Sequence, residues 1–138
     1  MAIYDTLRTD IRSSVPVALA TVVEGPQVGA KLLVRHDGTV LGSLADADLD
    51  RVVERDARGE LAAGRSGIRH YGEHGEAREG VDSVYIESFA PPPRMLIFGA
   101  VDFTAALARV GKILGYQVTV CDAREVFATP QRFPMADE

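Results

Sequence analysis

The residues with the most specific chemical pattern follow a short apolar run, RMLIF, in the second half of the chain. Gly99 comes directly after this run and a helical pattern of apolar residues comes next, so we expect a sharp turn from a strand into a helix. The first amides of such a helix lie at the positive end of its dipole, where an anion such as a pyrophosphate can bind. The candidate phosphate-binding loop consists of Gly99, Ala100, Val101, Asp102 and Phe103.

An acidic residue stands where a dinucleotide would need a second contact. Asp122 ends the next predicted strand, YQVTVCD. In dinucleotide-binding units an acid about 20 residues beyond the loop accepts hydrogen bonds from a ribose hydroxyl. Arg124 could face an adenosine phosphate or pair with Asp122, and we expect the pairing. The alternative without a ligand is that Gly99 is only a turn glycine and Asp122 a solvated carboxylate.

The loop departs from the glycine pattern of dinucleotide-binding proteins at two positions. Val101 stands in place of the second glycine and Thr104 in place of the third. The second glycine normally lets the pyrophosphate approach the backbone, and a β-branched side chain obstructs that approach. Asp102 adds a negative charge beside the expected phosphates. The pattern therefore predicts a fold more firmly than a bound nucleotide, because a fold does not imply a ligand.

The order of strand, turn, helix and strand over residues 94–124 predicts a βαβ unit with two parallel strands. Gly115 is placed where a glycine commonly ends a helix. The predicted helix has an apolar face composed of Phe103, Ala106, Leu107, Val110, Ile113 and Leu114.

The first part of the chain predicts a small α/β domain. An amphipathic helix over residues 2–13 precedes three strands, VPVALATVVEG, VGAKLLVRHDG and TVLGS, which form an antiparallel sheet with a hairpin turn at Gly38. A helix follows in SLADADLDRVVERDARGELAAG, where Ser43 and Asp46 match a Ser-x-x-Asp capping pattern. Further strands are expected near residues 68–71 and in VDSVYIESF.

Three consecutive prolines in APPPR separate the two parts, since they can continue neither a helix nor a sheet. We therefore expect an α/β protein with an N-terminal domain over residues 1–90 and the start of a Rossmann-like domain over residues 91–138. A parallel sheet of two strands leaves apolar faces open. We accordingly expect the second domain to be truncated, with the chain a fragment of a longer protein or completed by a partner chain.

Composition and charge exclude several classes of protein. The net charge of −5 argues against a nucleic-acid binder, because neutralising phosphates needs clustered Lys and Arg. A single cysteine, Cys121, excludes an internal disulfide and fits a reducing cytoplasm, where we expect the protein. The first residues lack the pattern of a secretory signal, and no apolar run approaches the roughly 18 residues of a membrane span.

The remaining polar residues form no recognisable catalytic set. His70 and His74 are four positions apart, but glycines beside them break any helix and no third ligand is evident, so we predict no metal site. His36 is expected in an exposed hairpin turn and Arg132 as a surface charge. Cys121 is expected to act as a small apolar residue rather than a reactive thiol.

Three stretches, ALATVVEG, GAKLLVRHDGTVLGS and PPPRMLIFGAVDFTAALARVGKILGYQVTVCDAREVFATPQRFPMAD, resemble the XdhC/CoxI family. These are accessory proteins that mature molybdenum hydroxylases such as xanthine dehydrogenase and carbon monoxide dehydrogenase. The resemblance is strongest in IFGA, VTVCDAR and FATPQRFP. It implies an N-terminal α/β domain joined to a Rossmann domain, a homodimer, and binding of the molybdenum cofactor for delivery to the apo-hydroxylase.

One family motif is missing. Members of the family usually carry Gly-Gly-Cys after the third strand, where this chain has Asp46, Ala47 and Asp48. A thiolate is a soft ligand that could hold molybdenum or carry a sulfur, whereas Asp48 is hard and repels a pterin phosphate. Because Asp50 adds a third acid to the same helical turn, we expect no cofactor to bind through this motif.

The leading hypothesis is a non-catalytic accessory protein of the XdhC/CoxI type whose loop contacts a nucleotide or pterin-dinucleotide phosphate, with Asp122 on the ribose. Molybdenum cofactor and NAD(P) are the candidate ligands. One rival is an NAD(P)-dependent oxidoreductase, although no acid, base or substrate clamp stands beside the loop. The other is a protein-interaction module without a small ligand, whose open sheet edge pairs with a partner strand.

Overall fold

The computed structural model describes residues 2–72 and 81–138, so the candidate ligand His74 lies outside the described residues. The chain divides into two compact units, Met1–Pro91 and Pro92–Glu138. The first unit contains α1 (Ala2–Arg12), β1 (Val17–Glu24), β2 (Lys31–Arg35), β3 (Val40–Ser43), α2 (Ala47–Ala63), β4 (Gly67–Tyr71) and β5 (Asp82–Phe89). The second contains β6 (Arg94–Phe98), α3 (Thr104–Ile113) and β7 (Gln117–Cys121).

The strands of the first unit form one five-stranded antiparallel sheet in the order β3-β2-β1-β5-β4. In its centre, Leu19 of β1 lies opposite Leu33 of β2 and Glu87 of β5. The hairpin between β2 and β3 turns through Gly38, whose φ of +93° costs a glycine little. The predicted antiparallel sheet is confirmed, and β4 and β5 extend it rather than forming a second one.

The core of the first unit lies between this sheet and α2. On β1, Ala18, Ala20 and Val22 are buried because side chains of a strand alternate between its two faces. The residues that α2 contributes recur every three or four positions and are Leu49, Val53, Ala57 and Leu61. Sheet and helix therefore bury their apolar faces against each other.

An ion pair ties α1 to the sheet. The carboxylate of Asp10 accepts two hydrogen bonds of 2.7 Å from Nε and Nη2 of Arg35 in β2. Asp10 is buried, and a bidentate, charge-assisted pair of this kind fixes direction as well as distance. Helix α1 therefore cannot rotate about its own axis without breaking this pair.

The second unit has the predicted βαβ arrangement. Strands β6 and β7 are parallel, with Met95 opposite Val118 and Ile97 opposite Val120. Helix α3 lies close to them at Gly111, where an added Cβ would stand 2.9 Å from Met95 Sδ and 3.0 Å from Val118 Cγ2. The glycine is thus required for this close approach of helix and strands.

The large apolar residues of α3 are on its outward face. The buried residues of the helix are the small ones, Thr104, Ala108 and Gly111, because only they let the helix approach the two strands. Phe103, Leu107, Val110, Ile113 and Leu114 are exposed. The apolar face identified in the sequence exists, but it does not pack on β6 and β7.

Backbone hydrogen bonds continue beyond β7 at its free edge. Glu138 donates its N–H to the carbonyl of Val118 at 3.3 Å, and its own carbonyl accepts the N–H of Val120 at 2.9 Å. This pair of bonds is the pattern of parallel strand pairing. Glu138 therefore lies beside β7 in the position of a strand parallel to it.

Candidate functional site

The turn between β6 and α3 depends on Gly99. Its φ is +109°, and no atom lies within 4 Å of the place where its Cβ would be. Glycine is therefore required by the left-handed backbone and not by crowding. The N–H of Gly99 donates to the carbonyl of Cys121 at 2.8 Å, which extends the pairing of β6 with β7 up to the turn.

Thr104 closes the loop from inside. Its hydroxyl donates to the carbonyl of Gly99 at 2.6 Å and accepts the N–H of Val101 at 3.3 Å, and the residue is fully buried. In the sequence, Thr104 is identifiable only as the residue that replaces the third glycine of the pattern. The signal that could have found its role is the tendency of Thr and Ser to bond backbone groups at the start of a helix.

Asp122 points into the loop. Its Oδ2 accepts the N–H of Ala100 at 2.8 Å, and its two oxygens accept the backbone N–H of Arg124 at 2.9 Å and its Nε and Nη2 at 3.1 and 3.2 Å. These bonds, led by the guanidinium of Arg124 and followed by the Ala100 amide, hold the pKa of Asp122 well below its usual range. The expected pairing with Arg124 is observed.

The burial of Asp122 bears on the ribose role expected of it. Its side chain is only 6% exposed, and both oxygens already accept hydrogen bonds from the loop and from Arg124. The carboxylate therefore shapes the loop. A ribose hydroxyl could reach it only by displacing Arg124.

The start of α3 keeps free backbone donors. The residue before the helix, Phe103, makes no side-chain capping bond. Within residues 81–138, which the structure describes without a gap, the amides of Asp102, Phe103, Ala105 and Ala106 have no acceptor. The amides of Ala100 and Val101, in contrast, are taken by Asp122 and Thr104. An anion would therefore bind one turn later than in the glycine-rich pattern.

Two arginines and a phenylalanine form a stack after β7. The guanidinium carbon of Arg124 lies 4.3 Å from the centre of the Phe127 ring, and that of Arg132 lies 5.4 Å from it. Arg132 also donates Nη1 to the carbonyl of Phe127 at 3.0 Å. Cation–π contacts of this kind order the loop. Arg132 is exposed as expected, but it also has this structural partner.

Side chains cap the start of α2 in part and brace the residues just before it. Asp46 is the N-cap and accepts the N–H of Leu49 at 2.8 Å. Asp50 accepts the N–H of Leu44 at 2.6 Å and the hydroxyl of Ser43 at 2.7 Å. The capping pattern with Ser43 as the cap is therefore wrong, because Ser43 still belongs to β3 and the helix begins at Ala47.

These side chains do not fit the molybdenum cofactor at α2. Asp48, at the place of the family's cysteine, is exposed and pairs with Arg51 at 3.1 Å. Three carboxylates surround the helix start, and none is a soft ligand. Over the two described ranges, no three His, Cys, Asp or Glu side chains are grouped so that they could hold a metal ion.

The other candidate residues, His36, His70 and Cys121, have only local contacts among the described residues. His36 is exposed in the β2–β3 hairpin, as expected. His70 Nδ1 lies 3.0 Å from the hydroxyl of Ser83, which donates to Glu24 at 3.0 Å and so links three strands. Cys121 is a free thiol of intermediate burial. None of the described helices has the length and apolar character that a membrane crossing requires.

Two family models match the chain, one in each unit. The XdhC and CoxI family model matches residues 11–72, and the XdhC Rossmann domain model matches residues 95–138. The second match begins within β6 and includes the Gly99 loop and Asp122. The chain belongs to the XdhC/CoxI family, as its sequence predicted.

Curated relatives are similar to the chain over a small part of their own length. The uncharacterized protein YqeB of Escherichia coli is 28% identical over 133 residues, which cover 86% of this chain and 24% of YqeB. A protein of Bacillus subtilis described as a probable subunit of xanthine dehydrogenase is 34% identical over 56 residues, 41% of this chain and 17% of that protein. The chain thus spans a quarter or less of these relatives.

Among solved structures, the chain is similar to a xanthine dehydrogenase from Bacillus halodurans. The identity is 18%, and the TM-score is 0.38 over 97% of this chain and 66% of that one.

Proposed function

We propose that this chain is an accessory protein for the maturation of a molybdenum hydroxylase of the xanthine dehydrogenase or carbon monoxide dehydrogenase type. It binds or delivers the molybdenum cofactor and is not itself a catalyst. The observation that carries the proposal is the start of α3, with four free amides behind the Gly99 turn, in a segment that matches the XdhC Rossmann domain. The proposed partners are the apo-hydroxylase and a second copy of the chain.

The loop residues have separate parts in the proposed site. Gly99 makes the turn, and Asp122 holds Ala100 so that the loop keeps its shape. The free amides of Asp102, Phe103, Ala105 and Ala106 are the donors to a phosphate group. The molybdenum cofactor would present such a phosphate on its pterin, and its metal would serve the hydroxylase.

The charged residues around the loop have opposing effects on anion binding. Arg124 is exposed for most of its side chain and keeps a guanidinium near the loop through its bonds to Asp122. Asp102 opposes an anion at the same place, and Val101 is 41% exposed beside the free amides. We therefore propose a binding site of modest affinity, in which the phosphate stays outside the Val101 side chain.

The Val101 side chain provides the test of the loop. The chain is titrated by calorimetry with molybdenum cofactor and, separately, with NAD, and the titrations are repeated with Val101→Gly and Val101→Glu. We expect the glycine variant to bind about tenfold more tightly, a gain of about 1.4 kcal/mol, because the backbone becomes accessible. The glutamate variant should bind more weakly, since it adds negative charge beside the phosphate.

Three results would decide against parts of the proposal. No heat with either ligand at high micromolar concentration rules out cofactor binding by this chain. Binding that neither Val101 variant alters would exclude the Gly99 loop as the site. Binding of NAD with nicotinamide-dependent turnover would favour the oxidoreductase instead.

The role in maturation needs a separate measurement. An apo-hydroxylase of the xanthine dehydrogenase type is incubated with molybdenum cofactor in the presence and absence of this chain, and its molybdenum content and activity are followed. We expect the chain to increase both. Complex formation with the hydroxylase but without any change in molybdenum content would support the protein-interaction module.

A further inference from the structure

The side of α3 that faces away from β6 and β7 exposes several large apolar side chains. Its exposed fractions are high for such large side chains: Phe103 71%, Leu107 42%, Val110 51%, Ile113 84% and Leu114 65%. These five residues form what we call the α3 strip. Contiguous exposed apolar patches of several hundred Å² usually mark an interaction site in a soluble protein.

The spacing of the strip indicates a helix as its partner. Phe103, Leu107, Val110 and Leu114 are separated by four, three and four positions, which is the spacing of a seam between two packed helices. This spacing is the same when it is read in either direction. Two copies of α3 can therefore pair antiparallel with Phe103 opposite Leu114 and Leu107 opposite Val110.

The charges of α3 favour this antiparallel arrangement. Asp102 lies at the N-terminal end of the helix and Arg109 in its C-terminal half, while the ammonium of Lys112 is paired with Asp137 of the same chain at 2.7 Å. An antiparallel pair brings the acidic end of one helix towards the basic end of the other and also opposes the two helix dipoles. A parallel pair would bring like charges together. The helix is thus complementary in charge to a second copy of itself.

We infer that the α3 strip is the contact through which two copies of this chain associate about a two-fold axis. The inference rests on the homodimer proposed above and specifies its surface. A helix of ten residues is about 15 Å long, so the contact lies at the lower end of specific interfaces, about 1,200 Å² in total. We therefore expect a dimer with a dissociation constant in the micromolar range.

Association is measured first, by analytical ultracentrifugation of the 138-residue chain over a concentration series. Val110→Asp should weaken the dimer at least tenfold, because it places a carboxylate in the seam. The matched control is Val126→Asp, which adds the same charge at a residue that is 74% exposed outside α3 and should leave association unchanged. Both positions are exposed in the monomer, so neither change should unfold the chain.

The orientation is measured by disulfide formation in a Cys121→Ser background, where no native thiol remains. Leu107→Cys and Val110→Cys proteins are oxidised separately and as a mixture. An antiparallel seam predicts that the mixture crosslinks faster than either protein alone.

The inference is overturned by a chain that stays monomeric at about 100 µM, which would mean that another protein segment covers the strip. It is also overturned if Val110→Asp and Val126→Asp have equal effects, or if each cysteine variant crosslinks faster with itself than in the mixture. Loss of dimer with unchanged cofactor binding would leave the proposed function intact. Loss of cofactor binding with an unchanged dimer would contradict the proposed function and leave the α3 contact intact.

Discussion

The two helices α2 and α3 begin in opposite ways. At α2 three acids surround the first turn: Asp46 accepts the amide of Leu49, and Asp50 accepts that of Leu44, just before the helix. At α3 the preceding residue is Phe103 and no side chain caps the helix. In the part of the chain that the structure describes, the amides of Phe103, Ala105 and Ala106 have no acceptor, and only that of Thr104 is bonded, to the carbonyl of Val101. Every helix starts with amides that lack an intrahelical partner. The sequence decides whether side chains or an external anion can satisfy them.

This difference favours a binding role for one helix start and a structural role for the other. The start of α2 is where the XdhC/CoxI resemblance put a missing cysteine motif, and its acids stabilise the first unit. The start of α3 belongs to the segment that matches the XdhC Rossmann domain. If one of the two helix starts binds an anion, we expect it to be the one at α3.

The comparison is tested most strongly at Thr104, which shapes the free helix start. Thr104→Val keeps the shape of the side chain but leaves the Gly99 carbonyl and the Val101 N–H without their partner in a buried place. We expect the second unit to lose about 1–3 kcal/mol of unfolding free energy, measured by urea denaturation. Thr104→Ser keeps the hydroxyl, and it should cost no more than the loss of one methyl, about 0.8 kcal/mol.

Equal losses for these two variants would show that packing, and not the hydroxyl, holds the loop. The proposed phosphate site would then lack its internal support.

At α2 the corresponding residue is the N-cap. Asp46→Ala removes the acceptor for the Leu49 N–H and should destabilise the first unit by about 1 kcal/mol. Asp46→Asn retains an acceptor and should remain close to the wild-type protein. Urea denaturation again gives the numbers. A loss from Asp46→Ala below the error of the measurement would mean that the bond between Leu49 and Asp46 adds nothing to the stability of the first unit.

The sequence predicted the elements on which this contrast depends, but it did not predict which way their side chains face. The parallel β6–α3–β7 unit followed from Gly99 and from the helical period, because both depend on local geometry. Which side of α3 meets the strands could not be read from the period. That choice is made by the small residues Ala108 and Gly111, whose size sets how closely helix and strands approach.

The orientation of polar side chains was equally hard to predict. The spacing of Asp122 placed it correctly at the end of β7, but a carboxylate there can point to a ligand or back to the loop. The bonds to Ala100 and Arg124 select the second. At α2, two acceptors, Ser43 and Asp46, stood in range of a helix start, and only the end point of β3 excluded Ser43.

Acid should release the α3 loop in a predictable range of pH. Because the folded pKa of Asp122 is lowered, its stabilisation is complete above the ordinary aspartate pKa of about 3.9 and is lost as pH falls below it. The amide NMR shift of Ala100, which bonds this carboxylate, should therefore titrate only below about pH 4. Asp122→Asn should abolish that titration.

A local probe is needed because Glu60 and Asp137 also have lowered pKa values and contribute to acid unfolding as a whole. An Ala100 shift that titrates at or above the ordinary aspartate value would contradict the bonding of Asp122 described above.

The smallest expected effect compares the two helix starts directly. Inorganic phosphate is added while amide shifts are followed by NMR, with sodium chloride at equal ionic strength as the control. A single helix dipole contributes about 0.3–1 kcal/mol to anion binding at an exposed site, so the affinity should be weak. The amides of Phe103 and Ala105 should shift, whereas that of Leu49 should not, because Asp46 already accepts it. Equal shifts at the two helix starts would mean that phosphate responds to the overall charge of the protein. The difference in capping between α2 and α3 would then have no bearing on where a phosphate binds.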